Sequence, residues 1–224
     1  MLVHHYTKVL NYNHKPTNGG TQKMKKTIAI ALVFLMTLCS AACAETFKMG
    51  IDAEYPPYSY MDENGDYTGY DVEMATAVCG ILGWNLEIVP INWDTKLIAL
   101  DSGEIDCIWS GLTIDVLDPE AYTISVAYAD NSQMILTKAD SGIATLADLA
   151  GKVVVTQADS SALAALTSTE DNEENLALKD SFAELQEVPD YNSAFLNLES
   201  GAVDCIAVDI GVAQYQLTSR GDTF

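Results

Sequence analysis

Two stretches of the sequence, WDTKLIALDSGEIDCIWSG at residues 93–111 and YNSAFLNLESGAVDCIAVD at residues 191–209, repeat one pattern. Their offset is a constant 98 residues, so that Gly103 aligns with Gly201 and Asp106 with Asp204. Each copy reads as an amphipathic helix that ends at a glycine, followed by a short apolar strand. Apolar strands that follow helices are typical of parallel sheets covered on both faces. The repeat therefore predicts an α/β protein of two similar lobes, each a central sheet flanked by helices.

Shorter signals place further elements around the two repeats. In the first half they predict a strand at Phe47–Ile51, a hairpin turn at Asn64-Gly65, and a helix that Asp71 caps and Gly83 ends. In the second half they predict a short helix capped by Thr145, a strand over residues 152–156 and a helix that opens at Ser160 and Ser161. Residues 168–180 are polar and acidic, which predicts a solvated surface segment.

Residues 24–44 have the composition of an export signal. Met24 starts a short basic region, the apolar run 28–38 is too short to span a bilayer, and small residues precede Glu45. We interpret residues 24–44 as a secretory signal peptide and residues 1–23 as an over-long amino terminus. Cys43 follows two alanines and is an alternative site of lipid attachment, so a soluble and a tethered form both stay open. In either form we expect an exported protein, periplasmic or at the cell surface.

The charge balance and the missing residue types exclude several classes of function. Residues 45–224 carry 32 acidic and six basic side chains, which makes nucleic acid and anionic lipid surfaces poor partners. All three histidines lie upstream of Met24, which excludes Ser-His-Asp and Cys-His catalysis and a His-ligated metal from the exported part. We expect Cys79, Cys107 and Cys205, widely spaced in apolar contexts, to be small core residues. Phosphate-binding and dinucleotide-binding motifs are also missing, so the sequence predicts neither a cofactor nor a metal site.

Four stretches in order carry a family resemblance. They are IDAEYPPYSYMDENGDYTGYDVEMATAV (51–78), NWDTKLIALDSGEIDCIWSGLTI (92–114), DSGIATLADLAGKVVVTQADSS (140–161) and ESGAVDCIAVD (199–209). Together they resemble the extracellular solute-binding proteins of polar amino acid ABC transporters, family 3, which have the type II periplasmic-binding-protein fold. The similarity runs from about Phe47 to about Gln216.

The resemblance implies two hinge-joined lobes that close on a ligand like a clamp. It places lobe 1 at residues 45–132 and lobe 2 at residues 133–224, with a first crossing between them near residues 131–138. A second crossing and the stretch that completes lobe 1 are expected after residue 224. The chain is therefore interpreted as C-terminally truncated.

The resemblance also implies which residues bind the ligand. Asp52 and Asp209 would hold its amino group, while Tyr55 and Trp93, with Tyr58 nearby, would form aromatic walls. Ser110, Gly111 and Thr113 would offer backbone and hydroxyl groups from lobe 1, and Ser160 and Ser161 would offer N–H groups from lobe 2. Structural roles stay open beside these: a helix N-cap for Asp209 and the two serines, a loop cap for Asp52, and ordinary packing for the rings.

One position departs from the family pattern. Relatives usually carry an arginine a few residues after the Gly-x-Thr, and its guanidinium grips the α-carboxylate of the ligand. Here that position is Asp118, between Asp115 and Glu120, and no Arg or Lys lies between Lys96 and Lys138. We expect the three carboxylates to form a solvated loop, and Lys96 either to replace the arginine or to face solvent. The missing arginine favours a cationic or carboxylate-poor ligand.

The resemblance predicts a transport receptor that acts without catalysis. It would capture an amino acid or a related small amine-bearing solute and deliver it, as a monomer, to an ABC permease in the membrane. Two alternatives stay open: the ligand-sensing domain of a signalling receptor, and a dehydratase-like enzyme on the same fold. Catalysis would have to rely on carboxylates in the cleft, because the exported part has no histidine.

The expected truncation predicts low stability. Without the stretch that completes lobe 1, an apolar face of that lobe stays uncovered, and part of the hydrophobic stabilisation is lost. We expect residues 45–224 to unfold at low temperature in a thermal melt followed by circular dichroism. A cooperative transition at high temperature would contradict this expectation.

Overall fold

The computed structural model describes residues 44–114, 117–170, 172–221 and 224. The proposed signal peptide, apart from Ala44, and the alternative lipid-attachment site Cys43 lie outside the described residues. In the part of the chain that the structure describes, helices long and apolar enough to cross a membrane are absent.

The first sheet contains three parallel strands in the order β5-β1-β6. Its strands are β1 (Thr46–Ile51), β5 (Asn85–Pro90) and β6 (Cys107–Ile108), and its helices are α1 (Tyr70–Leu82) and α2 (Lys96–Asp101), which follows a 3₁₀ turn at Trp93–Thr95. Met49 and Ile51 of β1 pack against Val72 and Ala75 of α1 to form its core. The predictions for the first strand and for the helix that ends at Gly83 are confirmed.

A small antiparallel sheet lies between β1 and α1 in the chain. It contains β2 (Glu54–Tyr55), β3 (Ser59–Met61) and β4 (Tyr67–Thr68) in that order. The Asn64-Gly65 turn joins β3 to β4, and Gly65 has a φ of 86°, which glycine adopts without steric cost. The predicted hairpin is confirmed.

The second sheet is mixed, in the order β7-β10-β8-β9. Its strands are β7 (Gln133–Thr137), β8 (Val153–Gln157), β9 (Glu184–Val188) and β10 (Cys205–Asp209). Its α-helices are α3 (Ser161–Thr167), α4 (Glu173–Ser181), α5 (Tyr191–Ser200) and α6 (Ile210–Arg220), and a 3₁₀ helix spans Leu146–Leu149. Strand β7 runs antiparallel to β10, so the expectation of an all-parallel sheet is wrong here. An apolar run shows that a strand is buried, and it does not show the direction of that strand.

Both copies of the repeat have the same local structure: a glycine after the helix and an aspartate that bonds to the adjacent strand. Gly103 and Gly201 adopt φ of 74° and 79° after α2 and α5. The carboxylate of Asp106 accepts a hydrogen bond from the N–H of Lys48 at 2.7 Å, and that of Asp204 accepts one from Val153 at 2.8 Å. In both sheets the aspartate therefore ties the start of its own strand to the strand beside it.

The predicted cap of α1 is wrong. Gly69 occupies the N-cap position with a φ of 121°, and a Cβ there would lie 2.4 Å from the carbonyl oxygen of Tyr58. Asp71 instead lies buried in the first turn, where its Oδ2 accepts from the N–H of Gly111 at 2.6 Å and from the Tyr128 hydroxyl at 3.0 Å. An aspartate near a helix start signals the helix, and the structure uses its carboxylate to hold a distant loop.

The other second-half signals agree with the structure. Thr145 and Asp148 form a capping box at the 3₁₀ helix, and Ser160 caps α3 through a hydrogen bond from the N–H of Leu163 at 3.1 Å. The polar segment 168–180 contains α4, which has no buried residue among those described, so it is a helix on the surface.

The three cysteines of the described chain behave as the sequence predicted. Cys79 and Cys205 are buried, Cys107 is half-buried, and all three are free thiols. Burial raises the pKa of Cys107 and that of Cys205 to about 12, so both thiols are protonated at neutral pH.

A wide apolar groove lies beside the first sheet. It has a volume of about 790 Å³, and Leu97, Leu100, Ile108 and Trp109 are among its lining residues. Val126, also in its lining, leaves 86% of its surface exposed. The groove is an apolar surface of this part of the chain, and both the uncovered face and the low stability stay predictions.

The largest core cluster of the second sheet predicts a sharp contrast between neighbouring residues of α5. Phe195 is fully buried in that cluster, whereas Leu196 is 55% exposed. Phe195→Ala leaves a cavity and should lower the free energy of unfolding by about 3–5 kcal/mol. Leu196→Ala, the matched control, should change it by about 0.5 kcal/mol or less, measured by urea denaturation. Equal effects of the two variants would contradict the placement of this core.

Candidate functional site

The carboxyl ends of four strands surround one cavity. Asp52 follows β1, Ser110 follows β6, Gln157 ends β8 and Asp209 ends β10. Strand ends of this kind are where open α/β sheets bind ligands. The cavity has a volume of about 20 Å³ and is lined by Asp52, Tyr55, Trp93, Lys96, Ser110, Gly111, Leu112, Thr113, Gln157, Asp159, Ser160, Ser161 and Asp209.

Nine of the ten residues proposed from the sequence line this cavity, and Tyr58 does not. Tyr58 stacks on Tyr55 with ring centroids 5.4 Å apart. Its hydroxyl reaches α6 so closely that a Cβ at Gly211 would lie 2.2 Å from it. The prediction for Tyr58 is therefore corrected: its ring supports the Tyr55 wall from behind, because the small Gly211 leaves room for it there.

Asp209 is the central acceptor of the cavity. Its Oδ2 accepts from the Tyr55 hydroxyl at 2.5 Å. Its Oδ1 accepts from Asn131 Nδ2 and Gln133 Nε2, both at 2.6 Å, and from the Ser161 hydroxyl at 3.0 Å. Asp209 occupies the N-cap position of α6, yet its side chain makes no capping hydrogen bond. The helix-cap alternative for this carboxylate is therefore wrong.

Asp52 is the second buried carboxylate. Its Oδ1 accepts from the N–H of Glu54 at 2.9 Å, as a loop cap does, and its Oδ2 accepts from Gln157 Nε2 at 2.6 Å. Burial raises the pKa of the Asp52 carboxyl, the two hydrogen bonds oppose that rise, and the charge of Asp190 adds to it. The loop-cap role and a role in the cavity coexist in this residue.

The loop after β6 is fixed from several sides. Ser110 Oγ accepts from the N–H of Asp52 at 3.0 Å and lies 2.6 Å from Ser59 Oγ. Gly111 has a φ of 59°, and a Cβ there would lie 2.6 Å from Cε1 of Tyr55, so both its backbone and its surroundings require glycine. Thr113 Oγ1 accepts from Asn131 Nδ2 at 3.0 Å.

Two stacked aromatic rings form one wall. Tyr55 and Trp93 lie with ring centroids 6.5 Å apart and an interplanar angle of 12°. Burial and the neighbouring Asp209 raise the pKa of the Tyr55 hydroxyl well above its usual range, so it stays a neutral donor. Both rings line a cavity that also holds carboxylates, a combination of groups that attracts an ammonium ligand.

Leu112, Gln157 and Asp159 line the cavity but were not predicted, and Lys96, for which a role in place of the arginine was one alternative, lines it too. Lys96 Nζ donates to the carbonyl oxygen of Trp93 at 3.2 Å, to that of Asp159 at 2.8 Å, and to the Asp159 carboxylate. It also lies 4.8 Å from the centroid of the Trp93 ring. The expectation that Lys96 faces solvent is wrong. The signal that could have found Gln157 and Asp159 was position, because Gln157 ends β8 and Asp159 lies two residues beyond it.

The acidic loop lies outside the cavity lining. Asp118 and Glu120 are exposed, and Asp118 Oδ1 accepts from the N–H of Glu120 at 2.8 Å. The expectation of a solvated loop is confirmed for these two residues, while Asp115 lies outside the described residues. Among the described residues, clusters of three or more potential metal ligands are absent.

Comparison with known proteins identifies a family. The family model "Bacterial extracellular solute-binding proteins, family 3" matches residues 47–192. The chain is 33% identical over 136 residues to the arginine-binding extracellular protein ArtP of Bacillus subtilis, covering 58% of this chain and 53% of that protein. It is 32% identical over 146 residues to the L-cystine-binding protein TcyJ of Escherichia coli K12, covering 60% of this chain and 55% of that protein. The chain thus spans about half the length of these relatives.

Solved structures agree with the family match. An ABC uptake transporter substrate-binding protein of Streptococcus pneumoniae with bound histidine is 33% identical, with a TM-score of 0.71 over 79% of this chain and 70% of that chain. The holo arginine-binding protein of T. maritima is 27% identical, with a TM-score of 0.67 over 80% of this chain and 75% of that chain. The protein therefore belongs to the bacterial extracellular solute-binding proteins of family 3 and has their type II periplasmic-binding-protein fold.

Proposed function

We propose that the protein is the extracytoplasmic substrate-binding component of an ABC importer, which captures an amino acid or a related small amine-bearing solute in the cavity. One observation carries the proposal: stacked Tyr55 and Trp93 and the buried carboxylates of Asp52 and Asp209 line one enclosed cavity. Carboxylates and ring faces attract an ammonium group, and a water-poor cavity strengthens that attraction. Relatives named for arginine, cystine and histidine binding support the same class of ligand.

Direct contacts across the cavity support a clamp. Gln157 Nε2 donates to Asp52 Oδ2 at 2.6 Å, the Tyr55 hydroxyl to Asp209 at 2.5 Å, and Lys96 pairs with Asp159. Each bond joins the part of the chain around the first sheet to the part around the second. We propose these parts as lobes, residues 45–132 and 133–224, that separate to admit the ligand and re-form these bonds around it.

The remaining features of the proposal concern the setting of the protein. An ABC permease would receive the solute from the closed protein, which would act as an exported monomer. Either a signal peptide or a lipid anchor at Cys43 would place it outside the cytoplasm. The strong negative charge of the chain makes nucleic acid a poor partner.

Binding without catalysis is the simpler reading of the cavity. Residues 45–224 contain no histidine, so a hydroxyl nucleophile there lacks an imidazole base. A related solved structure, an ancestral amino acid-binding protein described as a precursor of cyclohexadienyl dehydratase, is 30% identical with a TM-score of 0.68. Because of that relative, dehydratase activity stays an alternative function. Turnover assays on any bound ligand would detect this activity.

The aromatic wall supplies the direct test. A thermal-shift and calorimetric screen against the standard amino acids and small amines should identify at least one binder. Trp93→Ala removes one ring of the wall and should weaken that binder about tenfold, since a cation–π contact contributes about 0.5–2 kcal/mol.

Trp84→Ala is the matched control for this test. Trp84 pairs with Phe47, at 5.5 Å between ring centroids, and is not among the residues that line the cavity. The control should leave the dissociation constant unchanged. A wild-type protein that binds none of the screened compounds would refute the proposed function.

The raised pKa of Asp52 predicts a pH dependence of binding. Burial raises this pKa, so the free protein loses the Asp52 charge at a higher pH than an ordinary aspartate does. A cationic ligand needs the ionised form, so its affinity should fall as the pH falls through the raised pKa, by at most about tenfold per pH unit, and level off above it. Calorimetry from pH 4 to pH 8 should show this fall.

Two variants separate Asp52 from other carboxyl groups in that titration. Asp52→Asn should flatten the pH dependence and weaken binding of the cation. Glu120→Gln changes an exposed carboxyl outside the cavity lining and should keep the wild-type profile. An unchanged profile in Asp52→Asn would assign the titration to another group.

A further inference from the structure

We infer that the ligand is a small organic cation that has no carboxylate of its own. This inference rests on the proposed function. It narrows the class of ligand from all amine-bearing solutes, amino acids included, to amines that have no carboxylate. It stands on three observations: the charge of the cavity lining, the hydrogen bonds that occupy its lysine, and the hydrogen bonds that occupy the hydroxyl groups of Ser110 and Ser161.

The lining of the cavity has a negative balance. Asp52, Asp159 and Asp209 contribute three carboxylates, and Lys96 contributes the single cationic side chain among the thirteen described residues that line it. Two of these carboxylates, Asp52 and Asp209, are 6% and 2% exposed and have no cationic partner among the hydrogen bonds and ion pairs described above. Burying an unpaired carboxylate is costly, so the ligand is the natural source of the missing positive charge.

Lys96 is already committed to the protein. An ammonium group has three N–H donors, and those of Lys96 reach the carbonyl oxygens of Trp93 and Asp159 and the Asp159 carboxylate. A ligand carboxylate could engage Lys96 only by displacing one of these three acceptors. The cavity therefore does not offer this lysine as a free anion-binding group.

The hydroxyl groups of Ser161 and Ser110, beside the buried carboxylates, already make hydrogen bonds within the protein. Ser161 donates to Asp209, and the hydroxyl of Ser59 donates to the carbonyl oxygen of Asp52. The Ser59 hydroxyl has one hydrogen and donates it to that carbonyl. In the bond between the Ser59 and Ser110 hydroxyls, Ser110 is therefore the donor. Engaging a ligand carboxylate with these groups would break bonds that already stabilise Asp52 or Asp209.

Asp52 retains room for a cation. Its two oxygens offer about four acceptor positions, and the hydrogen bonds described for them come from Glu54 and Gln157. An ammonium group at Asp52 would fill this capacity and neutralise the charge. A carboxylate on the same ligand would instead lie among two buried carboxylates, where like charges repel in a water-poor site.

The decisive experiment uses ligand pairs that differ only in one carboxylate. Isothermal titration calorimetry with the purified protein compares agmatine with arginine, cadaverine with lysine, and histamine with histidine. We expect at least one amine to bind, and every amine that binds to do so about tenfold or more tightly than its parent amino acid, because repulsion and desolvation penalise the carboxylate by more than about 1.4 kcal/mol.

A lysine variant tests the alternative that Lys96 grips the carboxylate. Lys96→Met should change the affinities for an amine and its parent amino acid by the same factor, with thermal unfolding of the variant showing that it folds. A loss confined to the amino acid would identify Lys96 as a carboxylate-binding group and overturn the inference.

The outcomes separate this inference from the proposed function. Amino acids that bind as tightly as their amines, or more tightly, would overturn the inference and leave the solute-binding proposal standing. Binding of neither set would overturn the inference, and the wider screen of amino acids and amines would then decide the solute-binding proposal. Tight binding of the amines alone would support both.

Discussion

The buried carboxylate of Asp209 is the interaction on which the cavity depends. A charge placed at 2% exposure needs donors, and four neutral donors from separate parts of the chain supply them: Tyr55, Asn131, Gln133 and Ser161. The four hydrogen bonds to this carboxylate fix the positions of the aromatic wall, the segment that enters β7 and the start of α3 relative to one another. The shape of the cavity follows from that convergence.

The internal repeat explains why the two sides of the cavity differ in chemistry. Both copies use the same aspartate, Asp106 or Asp204, to tie neighbouring strands together, so the strand ends reach corresponding places. At the aligned position beyond each strand, one copy has Gly111 and the other has Asp209. The glycine allows Tyr55 to approach the backbone, and the aspartate receives the hydroxyl of that same tyrosine. The same local scaffold therefore allows close packing of Tyr55 at Gly111 on one side of the cavity and places the charge of Asp209 on the other.

Much of this arrangement could be predicted from the sequence, because its signals are local. Glycines at the ends of α1, α2 and α5, the Asn64-Gly65 turn and the Ser160 cap each depend on a few neighbouring residues. The prediction for Asp71 was wrong because it also rested on local signals alone. The neighbouring residues resemble a helix start, but the Asp71 carboxylate accepts a hydrogen bond from the N–H of Gly111, 40 positions away.

The contacts across the cavity could not be predicted in this way. Lys96 meets Asp159 across 63 positions, and Gln157 meets Asp52 across 105. These pairs exist only when the two sheets face each other, and no periodicity encodes that approach. The same limit applies to Tyr58. Local sequence does not show that Tyr55 lines the cavity and that Tyr58, three positions later, does not.

The narrow space at Gly211 gives the molecule a mechanical stop. Tyr58, from the part of the chain around the first sheet, rests against α6 at a point where even one added methyl group would lie 2.2 Å from its hydroxyl. The absence of a side chain there sets how near the two parts can come. An alanine at position 211 would press on the Tyr58 ring, so a single methyl group outside the cavity lining would force that ring or the start of α6 to move while every residue of the lining stays the same.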